Sequence, residues 1–368
     1  MLFILFIWRK FMLNNTLYRL QHDKKLTVGY FGGSITEGAG ASKPEFCWRS
    51  LTTAWFRETF PDCEIDAIQG AIGGTGSSLG IFRMENDLLS KNPDLVFIEF
   101  SVNDGCGDFF EISANSETLV RKIYTHNPNA EIIYVHTTTK ALSDIVAAGG
   151  EITARTAHST VMHYYGIPQI DMGEILRARI ASEGGDWLQY TTDNVHPKDN
   201  GYAIYSDAVK AFLAKQLSDQ TAGKPAPKVL PTPLWSDARI NARLEDAKIC
   251  ADEDWTFVAD KTLCGRYPHY IDADKPGAAL EFRFTGKRVG VYMMLAKDSG
   301  DFLFSVDDGE EQTVRTWDTY CPRFNRAGGR LLSDELPYGE HVLKIRVSDT
   351  KAEESEGHAI RFGAFMVY

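Results

Sequence analysis

One serine stands directly after two glycines at the end of an apolar run. The segment VGYFGGSITEGAG, residues 28–40, places Ser34 between a strand-like stretch and a helix-like stretch. Ligands of open α/β sheets bind at the carboxyl ends of the strands, so Ser34 is a candidate nucleophile. Serine is also a preferred helix N-cap, and the segment taken alone fits that structural role as well.

An aspartate and a histidine three residues apart could supply the other groups that a serine nucleophile needs. Asp193 and His196 lie in TTDNVHPKDNGY, just before a helical segment. In so short a turn the carboxylate can reach back to the imidazole and orient it as a base. A surface aspartate beside a capping histidine is the alternative. Asn103 and Asp104 directly follow an apolar strand in FSVNDG.

Two other patterns compete for the role of active site. GSSLG, residues 76–80, matches the G-x-S-x-G nucleophile elbow and would make Ser78 the nucleophile. That elbow requires a tight strand-to-helix turn, whereas a loose glycine loop, GAIGGTG, precedes Ser78. The same stretch could also be interpreted as a glycine-rich dinucleotide-binding loop. Such a loop follows the first strand of its fold, whereas this stretch follows the second strand. Both patterns are therefore weaker candidates than Ser34.

Composition limits the partners and the cofactors. The 368 residues carry a net charge of −11, which disfavours nucleic acid and anionic membranes and favours a neutral or cationic substrate. Six cysteines without CxxC pairs indicate free thiols and no zinc site. The N-terminal MLFILFIWRKFM lacks the features of a signal peptide and is too short to span a bilayer. We therefore expect a start upstream or at Met12, no stable membrane insertion and a cytoplasmic location, with a crude membrane anchor as the alternative.

The chain pattern changes character once, near residue 220. From residue 26 to about residue 217, β-rich runs alternate with helical stretches, as in a parallel sheet covered on both faces. TAGKPAPKVLPTP then indicates a linker, and the following alternation of apolar and polar residues predicts an antiparallel β-sandwich. The predicted division is an extension at 1–25, an α/β domain at 26–219, a linker at 220–233 and a sandwich at 234–368.

Four segments together resemble the sequence blocks of the SGNH (GDSL-type) hydrolase superfamily. They are GGSIT, AIGGTG, SVND and DNVHP, in the order and spacing of that family. The resemblance implies a flavodoxin-like three-layer sheet, no cofactor and no metal. It assigns a Ser-His-Asp triad to Ser34, His196 and Asp193, and an oxyanion hole to the backbone N–H groups of Ser34 and Gly74 with the amide of Asn103.

The match departs from the family pattern at three positions. Gly33 replaces the aspartate of Gly-Asp-Ser, and Ser101 replaces the glycine that usually opens the third block. Gln69 stands where members of the family often have asparagine, a change that affects the support of the reacting groups and not the reacting groups themselves. None of these changes removes a reacting group. Asp104 is expected to tie its own turn. Arg83 is expected to be a solvated helix charge, with a group that binds substrate or supports the site as the alternative.

The second domain resembles the jelly-roll modules that accompany SGNH carbohydrate acetylesterases. Aromatic residues in TWDTYCPRFNRAGGR, above all Trp317 and Tyr320, are candidates for substrate binding, and we expect one of these two to be exposed. This loop could cover the Ser34 cleft, or the module could be an independent targeting domain. The resemblance implies a serine acetylesterase acting on acetylated oligosaccharides from plant polysaccharides. A lysophospholipase or thioesterase, or a non-catalytic carbohydrate-binding protein, are the alternatives, and the oligomeric state stays open.

Overall fold

The computed structural model describes residues 13–217, 221–235, 239–259 and 267–368. The chain divides into two compact units, the first drawn from Met1–Ala71 and Asp87–Trp235 and the second from Ile72–Asn86 and Ser236–Tyr368. The expectations for residues 1–11, for Met12 and for Cys264 fall outside the described residues. The domain boundaries inferred from the sequence stay a prediction.

The first unit is built on a five-stranded parallel sheet. Its strands are β1 Lys25–Gly32, β2 Glu64–Gln69, β3 Leu95–Glu99, β4 Glu131–His136 and β5 Gln169–Asp171. Their order is β2-β1-β3-β4-β5, and every neighbouring pair is parallel. This is the flavodoxin-like order. Every residue of β3 and of β4 is buried, as expected for a parallel sheet covered on both faces.

Helices cover both faces of this sheet. They are α1 Asn14–Tyr18, α2 Ser34–Glu37, α3 Trp48–Thr59, α5 Ser101–Asp104, α6 Phe109–His126, α7 Lys140–Ala147, α8 Thr153–Tyr165, α9 Met172–Ser182 and α10 Asp199–Leu217. A further helix, α4 Ser77–Asp87, follows β2 in the chain and falls almost entirely in the second unit. Short 3-10 turns occupy Pro44–Phe46, Leu89–Lys91 and Trp187–Gln189, and a π-helical turn occupies Arg19–Asp23. Alternate residues of β1, β3 and β4 pack with α3, α9 and α10 in one core, whereas Tyr134 on the other face stacks on His158 of α8.

Two segments that the sequence left outside the α/β domain pack on the first unit. Leu13, Leu17 and Leu20, from α1 and the residues on either side of it, are buried in the core of the sheet. The proline-rich segment forms no helix or strand over residues 221–233. At its end, the backbone N–H groups of Leu234 and Trp235 both donate to the carboxylate of Glu117 on α6, at 2.7 Å each. The segment is therefore bound to the α/β domain along this stretch.

The second unit contains a β-sandwich. Its strands are β6 Arg243–Glu245, β7 Ile249–Ala251, β8 Thr256–Val258, β9 Tyr270–Ala273, β10 Ala279–Gly286, β11 Val289–Leu295, β12 Asp301–Val306, β13 Gln312–Arg315, β14 Arg326–Leu331, β15 Gly339–Val347 and β16 Ile360–Val367. One sheet has the order β13-β12-β15-β10-β7, and the other has β14-β11-β16-β9-β8 with β6 also paired to β16. All the paired strands are antiparallel. The predicted fold class, a flavodoxin-like α/β domain followed by an all-β sandwich, is confirmed.

The structure corrects two expectations in this unit. The loop expected at residues 316–330 is shorter, because Arg326–Leu331 pairs with β11 as β14. Its RAGGRL sequence lacks β-branched residues, and its glycines allow close packing: a Cβ at Gly329 would lie 2.7 Å from a methyl group of Leu79. Arg83 on α4 is fully buried and donates to the Thr75 hydroxyl at 3.3 Å, so it is not a solvated charge.

Candidate active site

Ser34 is the first residue of α2, two residues after the end of β1. Gly33 occupies the N-cap position, so the helix-cap role that the sequence left open for Ser34 belongs to a residue without a side chain. The Ser34 hydroxyl instead lies 2.9 Å from Nε2 of His196. The side chain is therefore in contact with a potential base.

The turn before α10 brings Asp193 and His196 together. Nδ1 of His196 lies 2.7 Å from Oδ2 of Asp193, and the backbone N–H groups of His196 and Val195 donate to Oδ1 at 2.8 and 3.1 Å. The turn is closed by the Thr192 N–H, which donates to the His196 carbonyl at 2.8 Å. Asn194 takes the left-handed conformation, φ +65°, which asparagine tolerates better than most residues. These local hydrogen bonds fix the carboxylate against the imidazole.

The hydrogen bonds favour one arrangement of protons in this array. Partial burial by itself would raise the pKa of Asp193, but the hydrogen bonds from the His196 backbone and ring outweigh it and lower that pKa below its usual value. An ionised Asp193 accepts the Nδ1 proton, which leaves Nε2 of a neutral His196 free to accept from the Ser34 hydroxyl. The arrangement can remove the proton from Ser34.

Three contacts that the sequence analysis missed hold the Ser34 segment against the His196 turn. Gly40, φ +91°, packs so closely that a Cβ there would lie 3.0 Å from the His196 Cβ and 2.6 Å from the Pro197 carbonyl oxygen. The hydroxyl of Tyr202 on α10 lies 2.7 Å from the Ala39 carbonyl oxygen. Ser42 donates its N–H and its hydroxyl to Asp199. The glycines of EGAG were the available signal, because a glycine-rich turn permits such close approach.

Asn103 lies at the same edge of the sheet as Ser34. Gly32 of β1 is in register with Glu99 of β3, and each strand is followed at once by a short helix that carries one of these residues. Asn103 is exposed. Its neighbour Asp104 is bonded to the buried His158 at 2.9 Å, in agreement with the expected structural role. The Asn103 amide is therefore displayed on a turn that its neighbour anchors.

The remaining predicted residues belong to the second unit. Gly74 has φ +73°, and a Cβ added there would meet no atom within 4 Å, so its backbone conformation rather than crowding favours glycine. Its oxyanion role stays a prediction. Ser78 is an exposed residue of α4, and residues 70–76 separate that helix from β2, which is not the sharp turn of a nucleophile elbow. Tyr320 is 52% exposed, as expected for one of the aromatic pair, whereas Trp317 is half-buried against the sandwich core.

Other chemistry-bearing residues have local partners. Burial lowers the pKa of His136 to about 3, and its two ring nitrogens face Ser101 at 3.0 Å and Gln169 at 2.8 Å.

The described cysteines are free thiols, namely Cys47, Cys63, Cys106, Cys250 and Cys321. Within the described ranges, three or more His, Cys, Asp or Glu side chains nowhere gather as a metal site would require. The helices described there are also all too short or too polar to span a membrane.

Comparisons with known proteins agree with the sequence resemblance. Residues 30–204 match the GDSL-like lipase/acylhydrolase family. A two-domain esterase active on acetylated mannans has a similar structure, with a TM-score of 0.81, 24% sequence identity, and coverage of 97% of this chain and 96% of that chain. The structure of a two-domain esterase active on acetylated mannans co-crystallized with mannopentaose gives a TM-score of 0.79 with the same identity and coverage. No curated protein matches the sequence.

At this level of identity the likeness to solved structures establishes the fold of the two-domain chain, and the family match covers most of the α/β domain. The match begins in β1 and ends in α10, so it includes the Ser34 segment and the His196 turn. Over residues 30–204 the chain is therefore similar to the GDSL-like lipase/acylhydrolase family.

Proposed function

We propose that the protein is a serine esterase that removes O-acetyl groups from carbohydrate through an acyl-enzyme. The observation that carries this proposal is the continuous array from Asp193 through His196 to the Ser34 hydroxyl, with contacts of 2.7 and 2.9 Å. The array lies at the carboxyl edge of a parallel sheet, where such folds bind their ligands.

The array would perform the reaction in two steps. His196 takes the Ser34 proton as Oγ attacks the acetyl carbonyl, and it then gives that proton to the departing sugar oxygen, which leaves as a hydroxyl as the C–O bond breaks. A water molecule, activated by the same histidine, then attacks the acetyl-Ser34 ester, releases acetate and returns the proton to Ser34. Asp193 keeps the imidazole oriented and stabilises its cationic form throughout.

The oxyanion that forms in each step needs hydrogen-bond donors placed in advance. The N–H of Ser34 belongs to the first turn of α2, where N–H groups have no partner within the helix. The exposed Asn103 amide is the second proposed donor. The family resemblance implies a third, the Gly74 N–H. Removing one donor of this kind commonly lowers kcat by about 10²–10³-fold.

Carbohydrate is proposed as the alcohol part of the substrate on three grounds. The similar two-domain structure belongs to an esterase active on acetylated mannans. In the sandwich, Tyr320 and Phe324 are each about half exposed with ring centroids 6.3 Å apart, and the Arg326 guanidinium lies over the Tyr320 ring. Exposed aromatic rings present the apolar face that a sugar ring can stack on. The acidic surface, net charge −11, suits a neutral oligosaccharide.

Active-site labelling tests the nucleophile. A fluorophosphonate should label the wild-type protein and the Ser78→Ala variant, and it should not label Ser34→Ala. Hydrolysis of nitrophenyl acetate should fall at least about 10³-fold in Ser34→Ala alone. Labelling that is lost in Ser78→Ala and kept in Ser34→Ala would overturn the assignment.

Substrate profiling tests the acyl group and the alcohol separately. Nitrophenyl acetate should be hydrolysed faster than the butyrate and longer esters, because the proposed substrate is an acetyl ester. Faster hydrolysis of the longer chains would support a lysophospholipase or thioesterase instead.

Mass spectrometry of acetylated oligosaccharides before and after treatment should show loss of acetyl groups, and no loss from any of them would contradict the carbohydrate substrate.

A further inference from the structure

A buried carboxylate lies directly beneath the Ser34 segment. Glu99 is the last residue of β3, is 1% exposed and is in register with Gly32 of the neighbouring strand. Two hydroxyls donate to it, from Thr36 at 3.0 Å and from Thr137 at 2.6 Å. It also accepts a hydrogen bond from the backbone N–H of Gly33.

Two of these donors flank the nucleophile. Gly33 immediately precedes Ser34, and Thr36 follows it by two residues, so one carboxylate holds both sides of the turn that carries Oγ. The third donor, Thr137, follows the end of β4 and is itself buried. Glu99 therefore connects the Ser34 segment to two strands of the sheet rather than to its own chain neighbours.

The packing around Gly32 leaves this segment little room to move. A Cβ at Gly32 would lie 2.5 Å from the Glu99 carbonyl oxygen and 2.8 Å from the Thr36 hydroxyl. Such distances require glycine, and they show that the turn approaches β3 as closely as its backbone allows.

We propose that Glu99 is a positioning residue that sets the location of the Ser34 hydroxyl and N–H relative to His196. The proposal rests on the proposed function, in which Ser34 is the nucleophile. An error of about 1 Å in the placement of a reacting group can lower a rate by about 10²-fold, so a fixed turn matters to catalysis beyond its effect on stability.

Three converging donors call for a carboxylate rather than an amide. A carboxylate offers two acceptor oxygens, whereas glutamine offers one acceptor oxygen and an NH₂ group that can only donate. Burial raises the pKa of Glu99, and the bonds from Thr137, Thr36 and Gly33 act in the opposite direction. Glutamine at this position would place its NH₂ group, which can only donate, against one of these three donors.

Glu131 provides a matched control on the next strand. It begins β4, is 5% exposed and accepts the backbone N–H groups of Asn15 at 3.2 Å and Thr16 at 2.9 Å. Like Glu99, it is a buried glutamate with an elevated pKa caused by burial. It lies at the amino end of its strand, at the edge of the parallel sheet opposite Ser34.

The test compares Glu99→Gln with Glu131→Gln. Both variants should melt at a lower temperature. Only Glu99→Gln should lower kcat for nitrophenyl acetate, by about 10- to 100-fold with little change in KM, and lower the fluorophosphonate labelling rate of Ser34 in proportion. Wild-type kcat and labelling rate in a folded Glu99→Gln protein would overturn the proposal.

A second pair of variants removes one donor and keeps the glutamate. Thr36→Val should lower kcat and the labelling rate about 10-fold, and Thr36→Ser, which keeps the hydroxyl, should restore both. Equal rates in Thr36→Val and Thr36→Ser would also overturn the proposal, and this pair decides the matter if Glu99→Gln does not fold. A different result would overturn the proposed function, namely full activity of Ser34→Ala. The failure of the Glu99 proposal can therefore be distinguished from the failure of the proposed function.

Discussion

Each of the two units contains an aspartate and a histidine in similar contact. In the first unit, His196 Nδ1 lies 2.7 Å from Asp193 Oδ2, and the His196 N–H donates to Oδ1 at 2.8 Å. In the sandwich, His341 Nδ1 lies 2.8 Å from Asp307 Oδ2, and the N–H of Val342 donates to Oδ1 at 2.9 Å. Judged by the carboxylate and the near nitrogen alone, the two pairs are equivalent.

The two pairs differ in what faces Nε2, the histidine nitrogen that is not in contact with the aspartate. Nε2 of His196 faces the Ser34 hydroxyl, which can donate, whereas Nε2 of His341 lies 2.9 Å from the Pro337 carbonyl oxygen, which can only accept. Both ring nitrogens of His341 face oxygen acceptors, an arrangement that favours the cationic ring, and the Asp307 hydrogen bond raises the His341 pKa above its usual value. An Asp–His pair can act as a base only where its second nitrogen faces a donor.

The largest expected difference comes from removing each carboxylate. Asp193→Asn should lower kcat by about 10²–10⁴-fold, because asparagine can donate to Nδ1 and so favours the wrong tautomer. Asp307→Asn should leave kcat unchanged. Rates of nitrophenyl acetate hydrolysis at saturating substrate measure both. Since the Asp193 side chain is 52% exposed, its replacement should change the free energy of unfolding by less than about 1 kcal/mol.

A loss of activity in Asp307→Asn as large as in Asp193→Asn would break this comparison. Circular dichroism melting of both variants serves as the control, because it separates a catalytic loss from a loss of folded protein.

A smaller effect should follow from moving His196 without changing its aspartate. Gly40→Ala places a Cβ against the His196 Cβ and the Pro197 carbonyl oxygen, so we expect kcat to fall about 10-fold or more as the imidazole moves from Ser34. Gly149 has a similar φ, +82°, with no atom within 4 Å of a Cβ, and Gly149→Ala is the matched control.

Both glycine variants should lose about 1–2 kcal/mol of stability, because both force alanine into the left-handed region. Gly40→Ala should lose more than Gly149→Ala, because its Cβ would lie 2.6 Å from the Pro197 carbonyl oxygen. Only Gly40→Ala should lose activity. Equal kcat values for the two variants would mean that the Gly40 contact does not set the position of His196.

The smallest effect concerns the pH dependence of the sandwich pair. The folded-state pKa of His341 is raised, so the pair's contribution to stability is complete below the unfolded pKa of about 6.5 and is lost as the pH rises through the folded value. Asp307→Asn should therefore lower the melting temperature more at about pH 5.5 than at about pH 8.5, by an energy of about 1 kcal/mol or less. A larger decrease in melting temperature at about pH 8.5 than at about pH 5.5 would contradict a cationic His341.

The sequence was sufficient for the features that depend on local pattern. Buried parallel strands appear as continuous apolar runs, which is why DLVFIEF and EIIYVHT correspond to β3 and β4. The Asp193–His196 contact was also predictable, because three residues in a tight turn leave little freedom. In the sandwich, the alternation of ALEFRFTG corresponds to β10, whereas β14 was not predicted, since RAGGRL has no alternating apolar pattern.

The residues themselves determined which groups could react and in which order they occur along the chain. The tertiary structure alone decided that Ser34 and His196, 162 positions apart, come within 2.9 Å. It also decided that Glu99 lies beneath the nucleophile, that Arg83 is buried and that His341 is not a second base. The physical reason is that hydrophobic periodicity encodes the type of each element and its buried face, whereas the partner that a polar atom meets depends on how distant elements pack.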